Sequence, residues 1–405
     1  MKLKKILAVV LSLLMVLSFA ACTKAPVEEN GSDVDESNVN SENAGSFEKE
    51  GVIKIGGIGP LTGDAALYGN AVKYGAELAV KEINAAGGIN GYEVEYKMED
   101  DMHDAEKSVN AYGALKDWGM QMLMGTVTSV PCTAVSNEAA NDKMFLLTPS
   151  GSAVECLQAG DTLFRVCFSD PNQGIASADY IANNNVAKKI GIIFNSSDVY
   201  STGIKDKFVE QAAVKGLEIV ATEAFTNDSA TDFTAQLTNI KSKGAELVFL
   251  PIYTAPASLI LQQANTMGFA PIFFGCDGLD GILSVENFDA SLAEGVMLLT
   301  PFVANATDAA TVNFVKGFKE ISDEKYLNQF AADAYDAIYA IKAAAEKANI
   351  TPEMDVVATG DAMKAAMLEI SIDGVTGAGI TWTADGEPSK EPKAVKIVNG
   401  EYVAP

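Results

Sequence analysis

Arginine and histidine are almost absent. The 405-residue chain holds one of each, Arg165 and His103. That scarcity removes most fork-shaped anion clamps, histidine general bases and histidine metal ligands. Basic residues are outnumbered altogether, with 29 Lys and Arg against 54 Asp and Glu, for a formal charge of −25. Such a field repels phosphate backbones, which argues against nucleic acid as a partner and against a polybasic membrane-surface role. Long apolar runs are missing beyond the N-terminus; no later stretch approaches the ~18 residues a membrane helix needs. The five cysteines contain no CxxC pair, so the spacing does not support a zinc site, and no metal or cofactor is expected. A GxxxxGK[ST] phosphate loop, a GxSxG elbow and an HExxH helix are all lacking. Gly56-Gly57-Ile58-Gly59-Pro60 follows a strand-like run, but its spacing misses the dinucleotide fingerprint and Pro60 interrupts it.

What is present begins with an address. Lys2, Lys4 and Lys5 precede a 14-residue apolar stretch, Ile6 to Phe19, and then Ala20-Ala21-Cys22. The pattern predicts a signal peptide over 1–21, with small residues before a cysteine resembling a bacterial lipobox. Cys22 would then carry lipid, attach the chain to the membrane and become the mature N-terminus. Without the signal the charge becomes −28. Residues 22–50 are acidic and poor in large apolar side chains, a tether with a charge of −6, and −22 stays on residues 51–405. The body is therefore expected outside the cytoplasm, held to the cell membrane only by its N-terminus. Four cysteines remain there, Cys132, Cys156, Cys167 and Cys276. A bridge between Cys132 and Cys156 and buried free thiols both fit.

From Val52 onward strand and helix signals alternate. Strands are expected at 52–58, 92–98, 120–125 and 144–148, with helices over 67–85 and 131–141. A second series has strands at 189–194, 217–222, 247–251 and 271–275, separated by helices near 201–215, 231–243 and 255–267. Two successive βαβ series imply two parallel sheets coated by helices, joining near Phe168 to Pro171. After a strand at 296–300 come helices near 307–320 and 327–348, then a glycine-punctuated β-rich tail. The tail is too short for a third domain, so the chain is expected to cross back between the lobes.

In open α/β sheets ligands bind at the C-terminal ends of strands. The polar residues there are Thr62 and Tyr68, then Thr126, Thr128 and Ser129, then Ser150 and Ser152. In the second series they are Tyr200, Tyr253 and Asp277. Serine hydroxyls beside helix N-termini suit a carboxylate. Asp277, with Tyr253 beside it, suits an ammonium ion. Together they describe a cleft for a zwitterionic amino acid. Taken singly, each residue also reads as a cap, a turn or an edge-packing ring. His103, within Asp100-Asp101-Met102-His103-Asp104, reads as part of a solvated loop and helix cap. Arg165 reads as a structural ion pair near the crossover.

Several stretches then act as a set: Ile58-Gly59-Pro60-Leu61-Thr62-Gly63 with Tyr68-Gly69, Ala85 to Gly91, and Leu146 to Ser152. Phe164-Arg165 with Asp170 and Gln173-Gly174 belong to it, as does Gly275-Cys276-Asp277-Gly278. On these residues the chain resembles, over about 51–385, the leucine/isoleucine/valine-binding protein family. These are the solute receptors of branched-chain amino acid ABC importers. The resemblance implies a type I periplasmic-binding-protein fold: α/β, with two doubly wound parallel-sheet lobes joined by a multi-stranded hinge. It implies lobe 1 from 51–169 and 301–385, and lobe 2 from 170–300 with 386–405 returning to it. It implies that Ser129 and Ser152, with backbone groups at Ser150, hold a ligand carboxylate, and that Tyr253 and Asp277 take the ammonium. Tyr68 and Tyr200, with Phe330, would line the side-chain pocket. The family often has Glu where Asp277 stands, and further serines where Val130-Pro131 follow Ser129. The expected protein is a monomeric, non-enzymatic receptor that traps a small apolar amino acid by hinge closure and hands it to an ABC permease. Alternatives are a receptor for an amide, urea or another small organic solute, or a sensing protein. A secreted α/β hydrolase would need His103 as its base, and that residue reads as lying outside the strand-end cluster.

Overall fold

Parallel strands coated on both faces read as unbroken apolar runs, and the strands here do so. Residues 47–403 are described in this computed structural model; the expected signal, Cys22 and most of the tether lie outside them. The first sheet contains β1 (Val52–Gly59), β2 (Glu93–Asp100), β3 (Met122–Gly125), β4 (Phe145–Thr148) and β5 (Leu163–Arg165). All its pairings are parallel, in the order β2-β1-β3-β4-β5. Ile53, Ile55, Met122, Leu123, Phe145 and Leu146 are fully buried in it. Helices α1 (Ala66–Ala85), α2 (Ala105–Trp118), α3 (Ser129–Asp142) and the short α4 (Glu155–Gln158) connect these strands.

After β5 the chain enters α5 (Asp170–Asn183) and a second βαβ series. This comprises β6 (Lys189–Asn195), α6 (Val199–Lys215), β7 (Glu218–Phe225), α7 (Thr234–Ser242), β8 (Leu247–Leu250), α8 (Thr254–Thr266), β9 (Ile272–Gly275) and β10 (Met297–Leu299). Asp198 caps α6 by accepting from the Tyr200 N–H at 3.0 Å. The chain then returns to the first sheet with α9 (Ala309–Ile321), α10 (Gln329–Lys347) and α11 (Val356–Met367). Residues of α10 share one apolar core with α1 and with β1, β3 and β4. The approach of α1 to α10 is close enough to demand glycine: a Cβ on Gly75 would sit 2.1 Å from the Ala331 carbonyl oxygen. The chain finally crosses again, and β11 (Ala394–Val398) and β12 (Glu401–Val403) extend the second sheet. Its order is β12-β11-β10-β9-β8-β6-β7, antiparallel at the β10–β11 and β11–β12 pairings and parallel elsewhere.

One sequence expectation about the fold needs correction. The segment after α10 is not simply β-rich: α11 comes first, capped by Asp355, which accepts from the Ala358 N–H at 2.8 Å. Beyond α11 the chain forms isolated bridges, Ile372 with Ile380 and Trp382 with Pro388, because its glycines interrupt regular pairing. The stretch Ser169 to Pro171, expected only as a join, opens α5 with Pro171 in its first turn, where a missing N–H costs nothing. The four body cysteines are buried and unbridged.

Candidate functional site

Strand order reverses beside β1 in the first sheet and beside β6 in the second. The loops leaving β1, β3, β6 and β8 therefore open the crevices where ligands settle in such sheets. In the first sheet the loop after β3 runs into α3, whose first residue is Ser129. Its hydroxyl oxygen accepts from the backbone N–H groups of Ser152 (3.3 Å) and Ala153 (3.2 Å), so the two loops meet at that hydroxyl. Ser150 points inward: its hydroxyl donates to the Val127 carbonyl at 2.6 Å and its backbone N–H to the Thr148 hydroxyl at 3.3 Å. Arg165, fully buried, braces the same loop. Its guanidinium donates to the carbonyls of Gly151 (3.1 Å), Ser152 and Ala153 (3.0 Å), with Glu387 at 3.3 Å. The sole arginine thus shapes the serine loop and is not free for a ligand.

On the facing edge, Asp277 begins the turn after β9. Its carboxylate accepts from the Tyr200 hydroxyl at 2.7 Å, and its N–H donates to the Gln173 side chain at 3.0 Å. Gly278 follows because the Tyr200 hydroxyl would lie 2.5 Å from any Cβ there. Burial pushes the Asp277 carboxyl up to about 7, opposed by the Tyr200 and Gln173 hydrogen bonds. Tyr253, the last residue before α8, stacks on Tyr200 with centroids 4.8 Å apart and ring planes 13° from parallel. Tyr68 reaches across from α1, 5.4 Å from the Tyr253 ring and 4.8 Å from that of Phe330 at the start of α10. Aromatic pairs of this kind contribute about 0.5–1.5 kcal/mol each beyond burial. The structure thus gathers Tyr68, Tyr200, Tyr253, Phe330 and Asp277 into one contact network, while Ser129, Ser150 and Ser152 form the opposing loop pair.

Three further residues join them. His103 is half-buried, not solvated: its ring meets the Tyr253 edge at 5.5 Å and 83°, and Nδ1 lies 2.8 Å from the Thr128 hydroxyl. Left-handed backbone at Met102 and His103 turns the loop back into the cleft, and Asp104 takes over the cap of α2. Burial holds the imidazole below its usual range, opposed by Asp104 and Asp64. Among the described residues no carboxylate hydrogen-bonds its other nitrogen, so no triad forms around Thr128. Asp170, at the start of α5, is 1 % exposed, and neither of its carboxylate oxygens has a hydrogen-bond partner. Gln173, one turn on, contacts the Asp277 backbone. The strand-end rule applied to β5 finds Asp170, but three residues are too few to announce a strand.

The model of a periplasmic binding protein matches residues 52–401. The chain belongs to the periplasmic binding protein family. This binding protein is 31% identical over 309 residues to a Leu/Ile/Val-binding protein homologue of Brucella melitensis, covering 76% of this chain and 82% of that one. Among solved structures it is similar to the branched-chain amino acid transporter substrate-binding protein of Streptococcus pneumoniae in complex with isoleucine. That likeness has a TM-score of 0.76 and 28% identity, over 87% of this chain and 100% of the other. A Rhodopseudomonas palustris solute-binding protein in complex with benzoate shares the fold, with a TM-score of 0.76 at 20% identity, over 87% and 95% of the two chains. The fold is that of type I periplasmic binding proteins, an extracytoplasmic family. The family binds solutes and does not turn them over, so the cleft is a receptor site and not an active site.

Proposed function

We propose that this binding protein is the receptor of an ABC importer for a free α-amino acid with an apolar, branched-chain side chain. The carrying observation is the opposition of two edges across one aromatic cluster. The Ser129 and Ser152 loops, at the N-terminus of α3, suit a carboxylate. Asp277, with Asp170 behind it, suits an ammonium. Tyr68, Tyr200, Tyr253 and Phe330 leave an apolar environment for the side chain between them. Arg165 is committed to its own loop, which disfavours an acidic side chain.

The receptor works by closure. The pieces 51–169 and 301–385 move as one lobe against 170–300 and 386–405, and a ligand binding both edges biases the closed state. Cys22 carries the lipid that holds a monomeric receptor at the outer face of the membrane beside its permease. Calorimetric titration with leucine, isoleucine, valine, alanine and glutamate tests the ligand class. Saturable heat with the branched-chain set and none with glutamate is expected. Heat only with an amide or urea would overturn the assignment. A Cys22→Ala variant is expected in the medium and not in the membrane fraction.

A further inference from the structure

Buried carboxyl groups must be neutralised or paired, and one here has no partner. Asp170 is 1 % exposed and its oxygens find no donor, while Gln173, one turn further along α5, leaves its side-chain N–H group unpartnered as well. The oxygen of that same Gln173 side chain accepts from the Asp277 N–H at 3.0 Å. Helix α6 closes the other side: a Cβ on Gly203 would stand 3.2 Å from an Asp170 oxygen, and Tyr200, one turn earlier, donates to Asp277. Two buried carboxyls thus share one patch between α5, α6 and the end of β9.

We infer that Asp170 and Asp277 form a carboxyl pair that holds a proton while the cleft is free and expels it to solvent when a ligand ammonium enters. The inference rests on the amino acid reading proposed for the cleft. One ammonium carries one positive charge, so it can replace the proton between the two carboxyls without changing the charge of the site.

The surroundings leave few other sources of positive charge. From β5, Arg165 is occupied by the carbonyls of Gly151 and Ala153 and by Glu387. From α6 comes Asp198, another acid, which together with Asp277 raises the Asp170 carboxyl further. From α10 comes Asp333, already paired with Lys390. The thiols of Cys156, Cys167 and Cys276 are raised by burial and stay neutral, as do the phenols of Tyr68 and Tyr253. Burial accordingly holds Asp170 well above the carboxylate range, with the charge of Arg165 opposing it. His103 faces Tyr253 from the other edge and, like Asp198, is a further group able to lose a proton as the cleft closes.

The experiment is calorimetric titration of leucine at pH 6.5 in buffers of different ionisation enthalpy, such as phosphate and imidazole. The slope of observed heat against buffer enthalpy gives protons released. Release of about 0.3–1 proton per leucine is expected, with affinity about three- to tenfold weaker at pH 5.5 than at 7.5. Release survives His103→Gln and is lost in Asp170→Asn. Equal heats in all buffers, with leucine still bound, overturn the proton pair and leave the receptor reading intact. Full release in Asp170→Asn, or its loss in His103→Gln, also overturns the pair. Should Asp170→Asn fail to fold by near-ultraviolet circular dichroism, the wild-type and His103→Gln series decide. No heat with any amino acid overturns the receptor reading itself.

Discussion

The hydroxyl oxygen of Tyr68 lies 2.7 Å from the backbone nitrogen of Thr254 and 2.7 Å from the carbonyl oxygen of Gly278. Tyr68 belongs to a helix packed on the first sheet, whereas Thr254 begins α8 and Gly278 lies in the turn after β9, both beside the second sheet. One phenol therefore accepts from one loop and donates to another across the cleft. Its ring contributes to the aromatic cluster and its hydroxyl forms a latch between these elements.

Replacing Tyr68 by Phe keeps the ring and removes the latch. Two backbone groups lose a partner, at about 0.5–1.5 kcal/mol for a typical hydrogen bond. Ligand affinity is expected to fall about two- to tenfold, carried by faster dissociation, which stopped-flow tyrosine fluorescence measures. An unchanged dissociation rate would show that the phenol does not latch closure.

Asp277→Asn keeps the shape and removes the charge. The Tyr200 hydroxyl retains an acceptor, so the turn is expected to hold. Leucine affinity should fall about tenfold or more, because hydrogen bonds to charged groups are worth about 1.5–3 kcal/mol. Unchanged affinity by calorimetry would remove Asp277 from the site.

Arg165 anchors the loop that carries Ser152. An Arg165→Met change leaves the carbonyls of Gly151, Ser152 and Ala153 buried without donors. A cost of about 3 kcal/mol is expected, seen as a lower Tm and as weakened ligand binding. Glu387 is 36% exposed in its side chain, so Glu387→Gln is expected to cost about 1 kcal/mol or less. Equal losses in the two variants would place the stabilisation in the ion pair and not in the loop brace.

Several buried acids make the unliganded protein pH-sensitive in a definite direction. Burial pushes Asp277 up to about 7 and Asp198 and Asp280 up to about 6, against about 3.9 in an unfolded chain. Between those values the folded state binds more protons than the unfolded one. Their stabilising contribution is fully present below about pH 4 and is lost as pH rises through about 6–7. The Tm without ligand is expected to be higher at pH 5.5 than at pH 8, and differential scanning calorimetry measures it. A higher Tm at pH 8 would contradict this account of the cleft acids.

The strands β1, β3, β4, β6, β8 and β9 were legible in the sequence because two-sided burial writes them as apolar runs. Helix α11 was not: two β-branched valines open it and Thr359-Gly360 form its second turn, all weak helix formers. The strand-end rule found the serine loops, the tyrosines and Asp277 because each follows a readable strand. It overlooked Asp170, since β5 is only three residues long. His103 was hidden for another reason: its partner Tyr253 is far away in sequence, and the left-handed turn that aims the ring inward leaves no compositional mark.

The central claim is that one edge of the cleft takes a carboxylate and the other an ammonium. Calorimetric titration with leucine, with 4-methylpentanoate, which lacks the amine, and with 3-methylbutylamine, which lacks the carboxylate, tests it most directly. The account predicts a leucine Kd of about 10 μM or tighter and binding at least about a hundredfold weaker for each truncated compound. Binding of 4-methylpentanoate or benzoate as tight as that of leucine would contradict it.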